Sequence, residues 1–203
     1  MADAPELVLQ PTCPLGGRAS HDHYPTPPGA VLPLVRYAQR ARWWATGEAV
    51  LDPCCGEGKL LDALRDFAGL VGHGIELDPA RAELARRRGH QVREGDALVV
   101  PWAARGTGLE EAPLVVSNPP FSHAEDFVRA ALLRMPPRGL VAMLLPMNFI
   151  ETPGRARLHR ACPADIFVLA KRPSFDGKGT AAIPYAWWVW GREGGGWEVL
   201  EDS

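Results

Sequence analysis

Residues 49–58 read Ala-Val-Leu-Asp-Pro-Cys-Cys-Gly-Glu-Gly, an apolar run that ends in a turn containing two glycines. The run 49–52 is typical of a buried strand, and a helical pattern follows over about residues 58–67. Strand-like and helical segments alternate along most of the chain around this stretch. Further strands are predicted at residues 70–77, 90–94, 114–116, 139–145, 165–170 and 183–190, and further helices at residues 30–46, 79–88, 123–135 and 153–161.

This alternation predicts an α/β fold with a doubly wound, mostly parallel sheet of seven strands and helices on both faces. The last two predicted strands are joined by a loop with no room for a crossover helix, so the C-terminal strand should be antiparallel. Residues 1–29 are rich in Pro, Gly and His without periodicity, which predicts an N-terminal arm that is flexible at its start. A single domain is predicted over residues 30–203.

Composition excludes several classes of protein. The 203 residues are 46% hydrophobic and 23% charged, as in an ordinary globular domain. No apolar stretch reaches the roughly 18 residues needed to span a bilayer, and the N-terminus does not resemble a secretory signal, so we expect a soluble cytoplasmic protein without a membrane partner. The net charge of −2 argues against a protein that coats nucleic acid nonspecifically, although a local basic face is still compatible with it.

The cysteines and histidines do not form a recognisable metal motif. Adjacent Cys54 and Cys55 do not match zinc-ligand spacings, and they are predicted to be small buried thiols in a tight turn. His21 and His23 flank Asp22, which could form a metal clip but also fits a solvated N-terminal segment. No metal ligands are predicted.

Acidic and polar residues close four consecutive predicted strands. They are Asp52, Glu76, Asp96 and Asn118, and in an open α/β sheet the carboxyl ends of the strands face one ligand crevice. The glycine turn after Asp52 would let the backbone approach a ligand closely. The same glycines would also fit an ordinary strand-to-helix turn. No phosphate-binding loop motif is present, and acids in the turn suit a cationic ligand that carries an ammonium or a sulfonium group.

The fourth strand runs into Asn118-Pro119-Pro120-Phe121. Two prolines cannot continue a ladder, so this corner should be a stiff, open loop. The Asn118 amide, the Pro119 carbonyl and the Phe121 ring could grip a planar group that bears an NH₂. An ordinary strand-ending turn is the alternative interpretation.

These motifs resemble those of class I S-adenosylmethionine-dependent methyltransferases, and in particular of the enzymes that methylate amino groups. The resemblance implies a Rossmann-like fold and S-adenosylmethionine as cofactor. It implies catalytic roles for Asn118, Pro119, Pro120 and Phe121, which match the (N/D/S)-P-P-(Y/F) tetrapeptide of that family. The cofactor-binding residues that it implies are Tyr24, Thr26, Asp52, Pro53, Cys54, Gly56, Gly58, Glu76, Leu77, Asp96, Ala97 and Asn118.

Two further segments are similar to small phage-type DNA adenine-N6 methyltransferases. The Tyr24-Pro25-Thr26-Pro27 element resembles an arm that packs over the cofactor, and residues 172–190 resemble the tail of those enzymes. The tryptophans of that tail also fit a simple core strand, and the arginines of the predicted helices fit solvated faces. Residues expected to bind substrate are Phe121, Phe149, Lys171, Arg172, Phe175 and Lys178.

The function implied is methylation of an exocyclic amino group, with adenine N6 in DNA as the first candidate and nucleic acid as the partner. Related enzymes carry a separate recognition domain, whereas here only the arm and the loops 97–113 and 171–182 are available. A short or loose target site is therefore expected. An RNA adenine, a cytosine N4 or a protein glutamine amide are alternative substrates, and a catalytically inactive subunit that binds the cofactor or a partner is an alternative function.

Overall fold

A computed structural model describes residues 25–102, 114–136, 138–175, 177–191 and 195–201. Cys13, the His21-Asp22-His23 segment, Tyr24 and most of the predicted loop 97–113 lie outside these residues.

Five α-helices lie in the described residues: α1 (Pro28–Arg40), α2 (Lys59–Ala68), α3 (Pro79–Arg87), α4 (Ala124–Arg134) and α5 (Pro153–Ala161). A proline opens α1, α3 and α5, where its missing N–H would have no helical partner. The Asp78 carboxylate caps α3 by accepting from the N–H groups of Ala80 (2.9 Å) and Arg81 (3.0 Å). Two short 3₁₀ turns, Phe121–His123 and Met147–Ile150, follow strands that end at the candidate site.

The strands are β1 (Ala49–Asp52), β2 (Val71–Glu76), β3 (Gln91–Glu94), β4 (Leu114–Ser117), β5 (Leu140–Pro146), β6 (Asp165–Leu169), β7 (Tyr185–Trp190) and β8 (Trp197–Leu200). They form one sheet in the order β3-β2-β1-β4-β5-β7-β6-β8. The first five strands of this order run parallel, so β1 to β4 all end at the same edge. The strand order reverses at β1 and β4, which is where ligands bind in open α/β sheets.

The predicted α/β fold is confirmed, including the antiparallel β7, which pairs with both β5 and β6. The prediction of seven strands is wrong by one, because β8 adds a short edge strand parallel to β6. Three of its four residues are exposed, so it lacks the apolar signature of the central strands. The first helix is shorter than predicted and ends at Arg40, because Arg42 adopts a left-handed φ of 54°.

Apolar side chains cover both faces of the sheet. Neighbouring residues of β7 point to opposite sides, so Trp187 packs with the α1 and α2 face and Trp188 with the α4 face. The Trp187 Nε1–H donates to the Ala30 carbonyl over 2.7 Å and locks α1 onto the sheet. The tryptophans of residues 187–190 are therefore core residues, as the simpler interpretation of the tail proposed. None of the described helices is long and apolar enough to cross a membrane.

Candidate functional site

Three of the four polar strand ends, Asp52, Glu76 and Asn118, line one cleft at the carboxyl edge of β1, β2 and β4. The residues predicted from the sequence that line this cleft are Thr26, Asp52, Pro53, Cys54, Glu76, Leu77, Ala97, Asn118 and Pro120. Leu77 is unusual because 37% of this large apolar residue is exposed, and it lies beside Glu76 at the cleft. The cleft therefore combines acidic groups with an accessible apolar surface.

The glycine turn forms the base of the cleft between β1 and α2. Gly56 and Gly58 adopt φ angles of 54° and 84°, in the left-handed region that favours glycine. A Cβ atom on Gly58 would also lie 2.9 Å from His90 Cδ2 and 3.1 Å from Ala85 Cβ. Backbone geometry thus favours both glycines, and close packing under the cleft also restricts Gly58.

Glu76 is held by two backbone hydrogen bonds. Its Oε2 accepts a hydrogen bond from the Gly56 N–H (2.8 Å) and its Oε1 accepts from the Asp78 N–H (2.9 Å). Arg81 Nε lies 3.4 Å from Oε1. A carboxylate has about four lone-pair sites, so these contacts fix its orientation and still allow it to accept from a ligand hydroxyl.

Asp52 is buried, with only 2% of the residue exposed. Its Oδ1 accepts from the Ser117 hydroxyl (2.7 Å) and from the Cys54 N–H (3.1 Å). Burial raises the pKa of Asp52 from 3.8 to about 6, while the hydrogen bonds from Ser117 and from the Cys54 N–H oppose that rise. The site thus contains a buried carboxylate suited to a cationic ligand.

The Asn-Pro-Pro-Phe corner separates this cleft from a second cavity. Asn118 and Pro120 line the cleft, whereas the next residue, Phe121, lines the second cavity. The Pro120 carbonyl accepts from the His123 N–H (3.0 Å), which closes the 3₁₀ turn that starts at Phe121. Pro119 is buried and, in the described part of the chain, is not among the residues that line either cavity.

The second cavity combines aromatic, amide and guanidinium groups. It is lined by Phe121, Ala124, Pro146, Asn148, Phe149, Arg155, Ile183 and Tyr185. The Phe149 ring is largely covered, because it meets Trp188 edge to face (5.6 Å between centroids) and Arg155 Cζ lies 4.8 Å from its centroid. Phe121 is instead only half-buried and lies 5.9 Å from the Tyr185 ring.

Residues 171–182 form a loop outside both cavities. Lys171, Arg172 and Lys178 are exposed, and the loop is closed by the Ala181 N–H, which donates to the Pro173 carbonyl over 2.8 Å. Phe175 packs edge to face on Tyr185, with centroids 5.1 Å apart. These four predicted substrate contacts do not line a cavity in the described structure, but Tyr185 connects Phe175 to Phe121.

Three predicted cofactor contacts of the described residues, Gly56, Gly58 and Asp96, are not among the residues that line the cleft. Asp96 is half-buried between two residues that line the cleft, Gly95 and Ala97, and its own carboxylate accepts from the Leu98 N–H (2.9 Å). Thr26 lines the cleft together with Pro25, so the arm reaches the site, while Tyr24 lies outside the described residues.

Sequence reasoning missed several residues of the site. Ser117 is completely buried, and its hydroxyl is hydrogen-bonded to Asp52. The feature of the sequence that could have identified it is its position at the end of a strand, next to Asn118. The cleft is also lined by Lys59, Arg81 and His123. The sequence pattern does not distinguish them, because each lies on a helix or turn with other polar residues. In the described residues, no group of three or more His, Cys, Asp or Glu side chains is arranged to hold a metal ion.

Comparison with solved structures places this architecture among known folds. The methyltransferase subunit of a type I restriction-modification system from Streptococcus thermophilus matches with a TM-score of 0.67 at 17% identity, over 88% of this chain and 47% of that chain. A candidate class I S-adenosylmethionine-dependent methyltransferase from Listeria monocytogenes matches with a TM-score of 0.65 at 14% identity, over 91% of this chain and 68% of that one. The fold is that of class I S-adenosylmethionine-dependent methyltransferases.

A modification subunit of a candidate type I restriction enzyme from Vibrio vulnificus matches with a TM-score of 0.61 at 15% identity, over 91% of this chain and 48% of that chain. The chain thus spans about half the length of the two restriction-modification subunits it matches. The family model of the methionine biosynthesis protein MetW matches residues 36–99, which include the glycine turn and Glu76 but less than half of the chain. No curated protein sequence matches significantly.

Proposed function

We propose that this chain is an S-adenosylmethionine-dependent methyltransferase that acts on an exocyclic amino group, with adenine N6 in DNA as its substrate. The proposal depends on one observation, that the Asn-Pro-Pro-Phe corner lies between two cavities. Asn118 and Pro120 line an acidic cleft, and Phe121 lines an aromatic cavity. A methyl donor in the first and an acceptor ring in the second would meet at Asn118. Methyl transfer depends chiefly on such alignment.

The residues of the cleft fit S-adenosylmethionine. Glu76 has both oxygens fixed by backbone N–H groups and keeps acceptor capacity for ribose hydroxyls. Leu77 and Ala97 offer an apolar surface for an adenine ring, and the buried Asp52 suits the positive charge of the methionine part. When bound, this cofactor supplies an electrophilic methyl group on a sulfonium sulfur.

The acceptor amine would be oriented by the corner. The side-chain carbonyl of Asn118 and the backbone carbonyl of Pro119 accept hydrogen bonds from the two amino hydrogens. Holding both hydrogens favours a more tetrahedral nitrogen, whose lone pair is then less delocalised into the ring. The same oxygens stabilise the positive charge that develops on the nitrogen in the transition state.

The second cavity supports a planar, conjugated acceptor. Phe121 is half-buried, lies beside Tyr185 and lines this cavity, so it contributes an aromatic ring to the surface that a base would meet. Phe149 contributes mainly an edge, since Trp188 and Arg155 cover it. The Asn148 amide and the Arg155 guanidinium supply donors for the ring nitrogens of a base.

A nucleic-acid acceptor is favoured over a protein amide by the aromatic lining of this cavity and by the exposed cations Lys171, Arg172 and Lys178 next to it in the chain. Cations contact phosphates and position the strand. A base within a duplex must first leave the stack, which costs on the order of a few kcal/mol. The similarity of fold to restriction-modification subunits is compatible with DNA as the substrate.

The test is a substrate survey with radiolabelled S-adenosylmethionine. The protein is incubated in parallel with duplex DNA, single-stranded DNA, RNA and a cell protein extract, and the labelled products are digested and identified. We expect label in N6-methyladenine from DNA, and Asn118→Ala protein serves as the background control. Label in RNA, in cytosine or only in protein would replace the DNA adenine assignment. Cofactor binding without label in any acceptor would indicate a catalytically inactive binding subunit.

A further inference from the structure

Two buried side chains, Asp52 and Ser117, and the half-buried Cys54 connect the cofactor cleft to the Asn-Pro-Pro-Phe corner. The Ser117 Oγ lies 2.7 Å from Asp52 Oδ1 and 2.9 Å from Cys54 Sγ. The Cys54 Sγ also lies 3.8 Å from the carbonyl oxygen of Asn118. The chain of contacts therefore runs from the end of β1 to the end of β4 and reaches the residue proposed to hold the acceptor amine.

The donors and acceptors in this network follow from the charge of Asp52. An ionised Asp52 has no proton to donate, so the Ser117 hydroxyl donates to Oδ1. The Cys54 thiol stays protonated because burial and the nearby Asp52 charge raise its pKa well above the ordinary value, and its single proton faces two acceptors, the Ser117 oxygen and the Asn118 carbonyl. The Cys54 N–H donates to the same Oδ1 over 3.1 Å. Among the described residues no hydrogen bond to Asp52 Oδ2 occurs, and Asp52 lines the cleft.

We propose that Ser117 is a positioning residue whose buried hydroxyl holds Asp52 ionised at neutral pH, with Oδ2 directed to a cationic ligand in the cleft. Through Cys54, the same hydroxyl ties the glycine turn to the corner at Asn118. The proposal rests on the proposed function, because the cationic ligand is S-adenosylmethionine. It assigns to Ser117 a role that neither the corner motif nor the glycine turn contains.

The surroundings of Asp52 disfavour its negative charge, and the Ser117 hydroxyl opposes that effect. Glu76, at the neighbouring strand end, disfavours a second negative charge, and burial does so more strongly. Besides Cys54, the other charged or titratable groups of the described residues that line the same cleft are Cys55, Glu57, Lys59, Arg81 and His123. Arg81 is engaged with Glu76 at 3.4 Å, and Lys59 with Glu57 at 3.5 Å. The side-chain hydrogen bond from Ser117 is the largest influence that lowers the pKa of Asp52.

A purely structural role predicts something different. Ser117 has no exposed surface and ends β4 after three apolar residues, so an alanine would fill the position with little loss of packing. If the hydroxyl only satisfied a local contact, its removal would change stability without moving the titration of Asp52. A pH titration therefore separates the two roles.

The first experiment titrates Asp52 in the ligand-free protein by carboxyl ¹³C NMR, with the Asp52→Asn variant used to assign the signal. We expect a midpoint near pH 6 in the wild type and a midpoint about one pH unit higher in Ser117→Ala, the usual size of the effect of one hydrogen bond to a carboxylate. Ser117→Thr keeps the hydroxyl and should restore the wild-type midpoint. Ser117→Gly also removes the hydroxyl and adds no bulk, so it should shift the midpoint in the same direction as alanine, and it replaces the alanine variant if that fails to fold. An unchanged midpoint in folded Ser117→Ala, or in Ser117→Gly if alanine does not fold, would overturn the proposal.

The second experiment measures S-adenosylmethionine binding by calorimetry between pH 5.5 and 8.5. We expect Ser117→Ala to bind about fivefold more weakly than the wild type at pH 6, about twofold more weakly at pH 7 and nearly equally at pH 8.5, where Asp52 is ionised in both. An equal loss at every pH would overturn the proposal. Absence of binding by the wild type would instead refute the proposed function, and the NMR titration would still report on Ser117 and Asp52.

Discussion

The Gly56 N–H donates a 2.8 Å hydrogen bond to Glu76 Oε2, so the glycine turn after β1 is tied to the last residue of β2. Twenty residues separate the two in the chain. The bond links the shape of the turn to the orientation of the acid, because the same carboxylate also accepts from the Asp78 N–H at the start of α3. Glu76 thus organises two loops of the cleft.

We expect Glu76→Gln to weaken S-adenosylmethionine binding by about tenfold or more, because a glutamine has one acceptor oxygen where the carboxylate has two, and charge-assisted hydrogen bonds contribute roughly 1.5–3 kcal/mol. Calorimetric titration gives the affinity. Glu198→Gln is the matched control, since Glu198 is exposed on the edge strand β8. Equal affinity in Glu76→Gln and the wild type would contradict the role given to this acid.

We expect the affinity for S-adenosylmethionine to fall as the pH drops below about 6, the raised pKa of Asp52. The affinity falls, and does not rise, because binding of a proton to Asp52 competes with binding of the cationic ligand. In the free protein Asp52 is protonated below this pH, and a cationic ligand must displace that proton, so the affinity falls by up to about tenfold per pH unit. The neutral Asp52→Asn variant should bind weakly at every pH in this range. A pH-dependent affinity in that variant, with the same midpoint, would assign the titration to another group.

The raised pKa of Asp52 also predicts how the stability of the ligand-free protein depends on pH. Because burial raises the folded-state pKa of Asp52 from 3.8 to about 6, its contribution to stability is greatest below pH 3.8 and is lost as the pH rises through about 6. We therefore expect Asp52→Asn to stabilise the ligand-free protein at pH 8 by up to about 3 kcal/mol, the equivalent of roughly two pKa units. Chemical denaturation at pH 8 and pH 5 measures the effect. It should be smaller at pH 5, and destabilisation at pH 8 would contradict it.

Asn118→Ala should lower methyl transfer at least about a hundredfold, because transition-state hydrogen bonds of this kind are usually worth 10²–10³ in rate. The affinity for the cofactor should stay within a few-fold of the wild type, since Asp52 and Glu76 are unchanged. Single-turnover kinetics and calorimetry together separate the two effects. A collapse of cofactor binding would show that Asn118 serves the cofactor and not the acceptor amine.

The triple variant Lys171→Ala, Arg172→Ala, Lys178→Ala should bind DNA more weakly and with a shallower dependence on salt, because each lost phosphate contact removes about one released counterion. Cofactor affinity should not change, as these residues lie outside the cleft. The matched control replaces three other exposed arginines, Arg40, Arg87 and Arg138. Fluorescence anisotropy at several salt concentrations measures both variants, and equal losses would mean that the loop has no specific role.

The sequence predicted the elements of this fold well where local patterns decide them. The apolar strands, the glycine turn and the prolines that open helices are local features, and the structure has them at nearly the predicted positions. The edge strand β8 was missed because its stability comes from pairing with β6, and three of its four residues are exposed. The end of α1 was missed because the left-handed turn at Arg42 has no signal in residue type.

The candidate site, like the fold, was predictable where a local feature of the sequence decides it and was missed where a contact between distant residues decides it. Asp52, Glu76 and Asn118 were predictable because parallel strands bring their carboxyl ends to one edge, so a polar residue at a strand end carries information by itself. Phe175 was assigned to stacking on nucleic acid, whereas in the structure its ring packs on Tyr185. That contact depends on a partner residue ten positions later, which no local pattern reveals.

The sequence by itself determined the α/β architecture and the set of polar strand ends, because hydrophobic periodicity and turn residues act over a few neighbouring positions. Only the tertiary structure decided that the Asn-Pro-Pro-Phe corner divides two cavities and that Ser117 bonds to Asp52 across 65 residues. These relationships arise when β1 and β4 pair side by side. Their physical basis is the burial of a polar pair between adjacent strands, where each partner needs the other in place of water.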